Sequence, residues 1–246
     1  MVLLACTPAP NIAGDASPIN TVNMSETAKT LASDEFLGRA PGTEGETMTV
    51  DYLIKRFAEL GLEPGGRDGA WTDPVTLNHS VITEVRTLNV SQDGTAIDLV
   101  QGRDIEISSA NPRDIIRIED APVVFVGFGV SAPEREWDDF GTIDLKGKVA
   151  LFLVNDPDFG VADDHPVSGA FGGRRMTYYG RWAYKFEEAA RRGAVAALVV
   201  HETKAAGYGW NVAASSPGEN YAVAGKGSAK ASVDLQGWLH EDMAKQ

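Results

Sequence analysis

The residues of this chain that could perform chemistry are its histidines and its many carboxylates. The histidines are His79, His165, His201 and His240. Imidazole and carboxylate groups are the ligands that zinc prefers in hydrolytic enzymes, where the metal activates a bound water molecule. Such a site needs several ligands on neighbouring elements, so the spacing of these residues decides whether the sequence predicts one.

Two patterns have the form of zinc-ligand motifs. His240 and Asp242 make a His-x-Asp pattern, and Glu187 and Glu188 make an adjacent acidic pair. We interpret both as coincidental. Residues 235–246 have the pattern of a polar helix start rather than of a buried strand end, and the acidic pair lies in the middle of a predicted helix, typical of a solvated face. The sequence therefore predicts no metal ligand and no catalytic residue in this chain.

The other histidines also lack partners along the sequence. His201 follows a predicted apolar strand and precedes Glu202, but no second histidine lies three or four residues away, as a helical zinc motif requires. His165 lies in the acidic loop 163–166, which we expect to be solvated. The chain also has no nucleophile-elbow pattern and no phosphate-binding loop.

The elements that would position these residues are helices and apolar strands. We predict helices over residues 24–36, with Ser25 as the N-cap, 44–60 and 181–192. We predict strands over residues 85–90 and 96–100, joined by a hairpin turn, and over 123–130, 148–154 and 194–200. Continuous apolar runs on either side of a helix favour a mixed sheet with a strand–helix–strand crossover.

The composition excludes several classes of protein. The 246 residues have a formal net charge of -13 and 43% hydrophobic content. That content is enough for a buried core, and the acidic charge repels phosphate backbones, so we expect no nucleic-acid partner. A single cysteine excludes an internal disulfide, and no apolar run reaches the roughly 18 residues of a transmembrane helix.

The first residues are similar to a bacterial lipoprotein signal. Residues 3–6 read LLAC, like a lipobox that ends in a lipid-bearing cysteine. We therefore predict lipidation of Cys6 and a flexible tether over residues 7–21, which are rich in Pro, Ala, Ser, Asn and Gly. The five residues before Cys6 do not provide the basic segment and longer apolar stretch of a signal peptide. Either the start of the chain is assigned too late or the match is chance.

A glycine-rich stretch with arginines and aromatic residues is the best candidate for a functional surface. It comprises residues 171–182, FGGRRMTYYGRW, and is called the arginine–aromatic segment below. Guanidinium groups bind carboxylates, and aromatic rings supply apolar contact area. The predicted substrate-surface residues are Arg174, Arg175, Tyr178 and Tyr179, which would receive a peptide or its carboxylate. The alternative is a loop ordered by packing its aromatic side chains on the core.

Three segments together resemble metallopeptidase family 28, the dizinc aminopeptidases related to glutamate carboxypeptidase and the transferrin receptor. The first comprises residues 31–46, LASDEFLGRAPGTEGE, the helix after them, and residues 60–64, LGLEP. The second comprises VGFGV at 126–130, WDDF at 137–140 and DLKGKV at 144–149, and the third is FEEAARRGA at 186–194. The second and third are similar to the protease-associated domain inserted into such peptidases.

The resemblance implies a domain organisation. Residues 1–22 would be the lipobox-like start and tether, and residues 23–108 the N-terminal part of a zinc exopeptidase domain. Residues 109–246 would be a protease-associated domain, incomplete because the sequence ends inside an element. The implied fold class is α/β, of the mixed α+β kind.

The resemblance also implies a function for the full-length protein. It would be an exported aminopeptidase that uses two zinc ions to remove N-terminal residues from peptides. It would belong to the bacterial cell envelope, as a periplasmic or outer-membrane lipoprotein held at the membrane by its lipid, or be secreted. The family's zinc-ligand segment has no counterpart here, so the chain would be an N-terminal fragment, inactive alone and without bound zinc.

Two other interpretations remain open on the sequence. One is a non-catalytic peptide- or protein-binding module built on a protease-associated domain. The other is a degenerate fragment of a split or frameshifted gene. The apolar helical face within residues 24–60 argues against the binding module, because such a face needs a catalytic domain to cover it.

Overall fold

A computed structural model of the protein describes residues 20–111, 113–215, 217–224 and 232–246. The chain divides into two compact units, Met1–Pro74 and Val75–Gln246. The predicted lipidation site, Cys6, and nearly all of the predicted tether lie outside the described residues. None of the helices in the described ranges has the length and apolar character needed to cross a bilayer.

The described part of the first unit, residues 20–74, contains two α-helices. Helix α1 spans Thr21–Leu31 and helix α2 spans Glu44–Glu59. The predicted start of α1 was wrong, because the side chain of Asn20, rather than Ser25, caps it by accepting a hydrogen bond from a backbone N–H. Its predicted end was also wrong, since residues 34–39 form a 3₁₀ segment that contains three residues with positive φ.

Helix α2 confirms the prediction over residues 44–60, and its start has a local cause. The hydroxyl of Thr43 accepts a hydrogen bond from the Glu46 N–H, and the Glu46 carboxylate accepts one from the Gly42 N–H at 2.6 Å. The Thr43 hydroxyl satisfies an N–H group that the first helical turn leaves free, and the Glu46 carboxylate binds the residue before the N-cap to the helix. On the inner side of α2, Tyr52 packs edge-on against the buried Phe36 at 5.8 Å.

The second unit contains the strands and the remaining helices. Its strands are β1 (Leu77–Val81), β2 (Asn89–Gln92), β3 (Thr95–Asp98), β4 (Ile105–Ser108), β5 (Val123–Phe125), β6 (Ser131–Ala132), β7 (Trp137–Asp138), β8 (Val149–Leu153), β9 (Ala196–His201), β10 (Glu219–Val223) and β11 (Leu235–His240). Its helices are α3 (Trp182–Arg191), α4 (Thr203–Ala206), α5 (Trp210–Ala213) and α6 (Glu241–Ala244).

A five-stranded sheet with the order β4-β11-β9-β8-β5 organises this unit. Strands β5, β8, β9 and β11 are parallel, and β4 pairs antiparallel with β11 at one edge. Helix α3 connects β8 to β9, as the apolar runs around it predicted. The predicted hairpin is also present as the antiparallel pair of β2 and β3. The expected mixed α/β class is therefore confirmed.

Both faces of the sheet are covered by apolar side chains. The face beneath α3 contains Phe152, Val199 and Trp238, together with Phe140 from the loop after β7. The opposite face contains a smaller cluster made by Leu99, Ile105, Ile107, Leu198 and Leu239. Strand β9 is buried along its whole length, which explains its uninterrupted apolar sequence.

Two features of the second unit differ from the sequence predictions. Residues 235–246 were predicted to begin a helix, but residues 235–240 form β11, and a helix covers only Glu241–Ala244. Pairing with β9 on one side and β4 on the other overrides the local pattern. The same pairing places β4 in the sheet, so the predicted boundary after residue 108 divides the sheet, whereas the compact units divide at Pro74.

Candidate functional site

The arginine–aromatic segment lies between β8 and α3, and the buried Asp156 holds its central part. The backbone N–H and the hydroxyl of Thr177 donate hydrogen bonds to the two carboxylate oxygens of Asp156, at 2.6 and 2.7 Å. Asp156 is completely buried, so these bonds replace the water that the carboxylate lost on folding.

A second buried carboxylate holds the start of the segment. The backbone N–H groups of Phe171 and Gly173 both donate to Oδ2 of Asp158, at 2.9 and 3.0 Å. The other oxygen of Asp158 is buried and has no hydrogen-bond partner among the described residues. The two aspartates follow directly after β8, at the carboxyl edge of the sheet.

A buried lysine lies near Asp156. The Nζ atom of Lys185, on α3, donates hydrogen bonds to the carbonyl oxygens of Phe128 at 2.5 Å and Asn155 at 3.2 Å. The side chain is completely buried. Burial lowers the pKa of Lys185 to about 7, although the charges of Asp156 and Asp139 act in the opposite direction.

The end of the segment approaches the chain after β8 closely, at Gly180. Its carbonyl oxygen accepts a hydrogen bond from the Asn155 N–H at 3.0 Å. A Cβ atom at Gly180 would lie 2.9 Å from the carbonyl carbon of Asn155 and 3.0 Å from Oδ1 of Asp156. This position therefore requires glycine because no side chain fits between the two backbones.

The two predicted tyrosines are anchored by hydrogen bonds and by ring packing. Tyr178 donates from its hydroxyl to Glu187, and Tyr179 donates to Glu134, each at 2.7 Å. These bonds raise the pKa of both phenols above the ordinary value. Both rings also pack edge-on against Tyr184, at 5.6 and 5.0 Å. The two tyrosines therefore pack on neighbouring rings, as the alternative interpretation of this segment expected.

The two predicted arginines behave differently from the tyrosines. Arg174 and Arg175 are exposed, and neither forms an ion pair with another described residue. Their backbone lies between the parts of the segment that Asp156 and Asp158 bind. A guanidinium group is permanently charged and offers a planar fork of donors that fits a carboxylate. The two arginines, on a backbone that hydrogen bonds hold on both sides, are suited to bind an anionic group.

The histidines at the carboxyl ends of the parallel strands lie side by side. His201 ends β9 and His240 ends β11, and the two are register partners. The predicted polar helix start is present, because the His240 side chain caps α6 by accepting a hydrogen bond from the Asp242 N–H, but the expectation that no buried strand precedes it was wrong. His201 is buried, and the rings of Tyr208, Trp210 and Trp238 lie 5.3 to 5.5 Å from its own. Burial lowers the pKa of His201, which favours the neutral form.

The acidic pair on α3 forms ion pairs rather than a metal site. Glu188 is buried, not solvated as the sequence indicated, and contacts the guanidinium groups of Arg191 and Arg192. His165 lies in an exposed loop, as predicted, and accepts a hydrogen bond from the Val167 N–H. Within the described ranges, no three His, Cys, Asp or Glu residues come together in a way that could hold a metal ion. The described residues therefore do not fit a zinc site.

Sequence reasoning missed the buried polar residues that shape the site. Asp156, Asp158 and Lys185 were not singled out. The available signal was the Asn-Asp-Pro-Asp stretch directly after an apolar strand, because polar residues at the carboxyl ends of parallel strands often form a site. No comparable signal identifies Lys185, whose neighbours in the helix are ordinary.

Comparisons with known proteins give little further guidance. No protein-family model matches the sequence, and neither does any curated protein. Among solved structures, the chain is similar to an aminopeptidase from Aneurinibacillus sp. strain AM-1, with a TM-score of 0.34 and 15% identity. The match covers 92% of this chain and 39% of the aminopeptidase, so the chain spans well under half of that protein. A likeness this weak carries no argument about activity.

Proposed function

We propose that this chain forms the framework and a peptide-binding surface of an exported zinc aminopeptidase. The proposal is supported by the three segments that are similar to metallopeptidase family 28 and by the arginine–aromatic segment. The observation that carries it is the exposure of Arg174 and Arg175 on a backbone that the buried Asp156 and Asp158 hold. A backbone held in this way loses little conformational entropy when the surface binds a ligand, so the entropic cost falls mainly on the arginine side chains.

The chemistry of the segment suits a peptide. A guanidinium group makes charge-assisted hydrogen bonds to a carboxylate, such as the C-terminal group of a peptide substrate. The exposed ring of Tyr178 offers apolar area for a neighbouring side chain. In this proposal the segment orients the substrate and performs no bond-breaking step.

The two zinc ions that the resemblance implies belong, in this proposal, to another part of the enzyme, because the described residues do not fit a zinc site. We assign no catalytic step to the described residues. The chain alone, supplied with zinc, is expected not to hydrolyse aminoacyl anilides. Turnover by the purified chain, abolished by a chelator, would overturn this division of roles.

Peptide binding is the direct test of the surface. Fluorescence anisotropy of a labelled peptide with a free C-terminal carboxylate should show saturable binding to the chain, and the amidated peptide should bind more weakly. The double variant Arg174→Ala, Arg175→Ala should bind at least about tenfold more weakly, because the loss of even one charge-assisted hydrogen bond of about 1.5 kcal/mol corresponds to about a tenfold change in affinity. The matched control is Arg117→Ala, which removes an exposed arginine outside the segment.

Unchanged affinity in the double variant would overturn the assignment of this surface. The non-catalytic binding module uses the same contacts and remains the second candidate. Joining the chain to a zinc-binding peptidase domain distinguishes the enzyme part from the binding module. A rise in the Michaelis constant on removal of both arginines supports the enzyme, whereas peptide binding with no effect on hydrolysis supports the module.

We also propose export and a lipid anchor on Cys6. The support is the lipobox-like sequence at residues 3–6. Expression in a bacterial host with labelled palmitate should label the wild-type chain but not Cys6→Ser. Equal labelling of both chains, or of neither, would contradict the anchor.

A further inference from the structure

The second unit contains a cavity whose lining has an unusual combination of groups. Its volume is about 380 Å³, within the range of small-molecule sites. Side chains of the sheet edge form its floor, α3 contributes one wall, and residues within 208–215 together with the start of β10 contribute the other. Of the arginine–aromatic segment, only Trp182 lines it. We call it the aromatic cavity.

The floor is set by strand register. In the antiparallel pair of β4 and β11, Trp238 lies opposite Glu106 and Gln236 lies opposite Ser108. Residues two apart on a strand project from the same face, so these four side chains form one polar and aromatic surface beneath α3. All four line the cavity.

Aromatic rings form the walls. Trp182, at the start of α3, packs against Trp238 with 5.8 Å between ring centroids, and Tyr208 packs edge-on against Trp238 at 6.2 Å. Phe186 follows one helical turn after Trp182 and also lines the cavity. Such rings bind an apolar body, and their faces attract a cation.

A buried carboxylate contributes to the floor of this aromatic surface. Glu106 is 6% exposed. Its Oε1 atom accepts hydrogen bonds from the Gly218 N–H at 2.8 Å and from the Gln101 side chain at 2.9 Å. Its Oε2 atom is buried and has no hydrogen-bond partner among the described residues. A donor supplied by a ligand would satisfy this oxygen.

The charged side chains that line the cavity are acidic. Glu219, which accepts a hydrogen bond from His79 at 2.9 Å, is the second acidic residue of the lining. No lysine or arginine is among the described residues that line the cavity. A partly desolvated site with carboxylates and no resident cation selects a positively charged ligand.

From this geometry we infer that the aromatic cavity is a binding site for a small primary ammonium ion with an aromatic or branched apolar body. The ammonium group donates to Glu106 and lies against the tryptophan rings, while the apolar body fills the space between Phe186 and Tyr208. A quaternary ammonium would satisfy the rings but not the carboxylate, because it has no hydrogen to donate. The inference does not depend on the proposed function.

Isothermal titration calorimetry of the chain with 2-phenylethylamine at pH 8 tests the site. Saturable one-to-one binding is expected for the amine. At least tenfold weaker binding is expected for 2-phenylethanol, which lacks the charge, and for the trimethylated amine, which lacks the donor. Phenylacetate is expected not to bind. No saturable binding of the amine, or equal binding of the amine and the alcohol, would overturn the inference.

Substitutions in the lining test whether 2-phenylethylamine binds in the aromatic cavity. Glu106→Gln should weaken 2-phenylethylamine binding at least tenfold, as expected for loss of one charge-assisted hydrogen bond, while the exposed Glu119→Gln should leave it unchanged. Trp182→Leu, at a 44% exposed position, is expected to fold normally and weaken binding a few-fold. Wild-type affinity in a folded Glu106→Gln chain, or in the Trp182→Leu chain if the first does not fold, would place the amine elsewhere and refute the site.

Discussion

The arginine–aromatic segment and the aromatic cavity combine charge with aromatic rings in opposite ways. The segment exposes the cations Arg174 and Arg175 to solvent and buries the carboxylates that support them. The cavity places a carboxylate, Glu106, in the interior and lines it with rings. Exposed charges are screened by water and salt, whereas a buried charge acts in a low dielectric. The segment is therefore suited to weak, salt-sensitive contact, and the cavity to selective binding.

The largest expected effect concerns the buried support of the segment. Asp156→Ala removes the acceptor of two Thr177 hydrogen bonds and a carboxylate near the buried Lys185. The variant leaves both Thr177 donors without their acceptor, which should lower the free energy of unfolding by about 2–6 kcal/mol, at about 1–3 kcal/mol for each donor. Urea denaturation followed by circular dichroism measures this loss. The control is Asp163→Ala in an exposed loop, and wild-type stability in Asp156→Ala would show that the support is not needed.

The next effect is a pH dependence that arises from Lys185. Its pKa of about 7 in the folded chain lies below the ordinary 10.5. Between these values the unfolded chain binds more protons, so stability rises as pH increases. Because of Lys185, the free energy of unfolding should increase by about 3 kcal/mol as the pH rises from 7 to 9.5. Urea denaturation of the wild type and Lys185→Met at several pH values gives the difference, and parallel curves for the two chains would contradict the expectation.

A smaller effect concerns Glu106 in the cavity, where one substitution is expected to change stability and ligand affinity in opposite directions. Burial raises the pKa of Glu106, so the folded chain is stabilised by the protonated form and loses that stability as pH rises through the folded pKa. At pH 7, Glu106→Gln should therefore raise the free energy of unfolding by up to about 1 kcal/mol without ligand. The same variant is expected to lose affinity for 2-phenylethylamine. A marked loss of stability would show that Glu106 is structural.

The smallest expected effect on stability is at the exposed arginines. Arg174→Ala and Arg175→Ala should each change the free energy of unfolding by less than about 0.5 kcal/mol, because neither side chain is buried or ion-paired in the described part of the chain. Peptide affinity of the wild type should fall as salt increases from 50 to 500 mM. A salt-independent affinity would mean that the arginines do not contact the peptide carboxylate.

Local sequence patterns determined most of the elements. Helix α2, the hairpin of β2 and β3, and the apolar strands β8 and β9 could be predicted because capping residues, turn residues and apolar runs act over a few positions. The mixed α/β class followed from the order of these elements. The composition of residues 171–182 also singled out the exposed arginines.

Only the tertiary structure decided the pairing and burial of the remaining residues. Residues 235–240 form a strand because β9 and β4 flank them, and this pairing places His240 next to His201 and Trp238 next to Glu106. Lys185 and Glu106 differ from other charged residues because they are buried, yet their sequence neighbours give no sign of it. Strand pairing and desolvation depend on residues distant in the chain, so a local pattern contains no record of them.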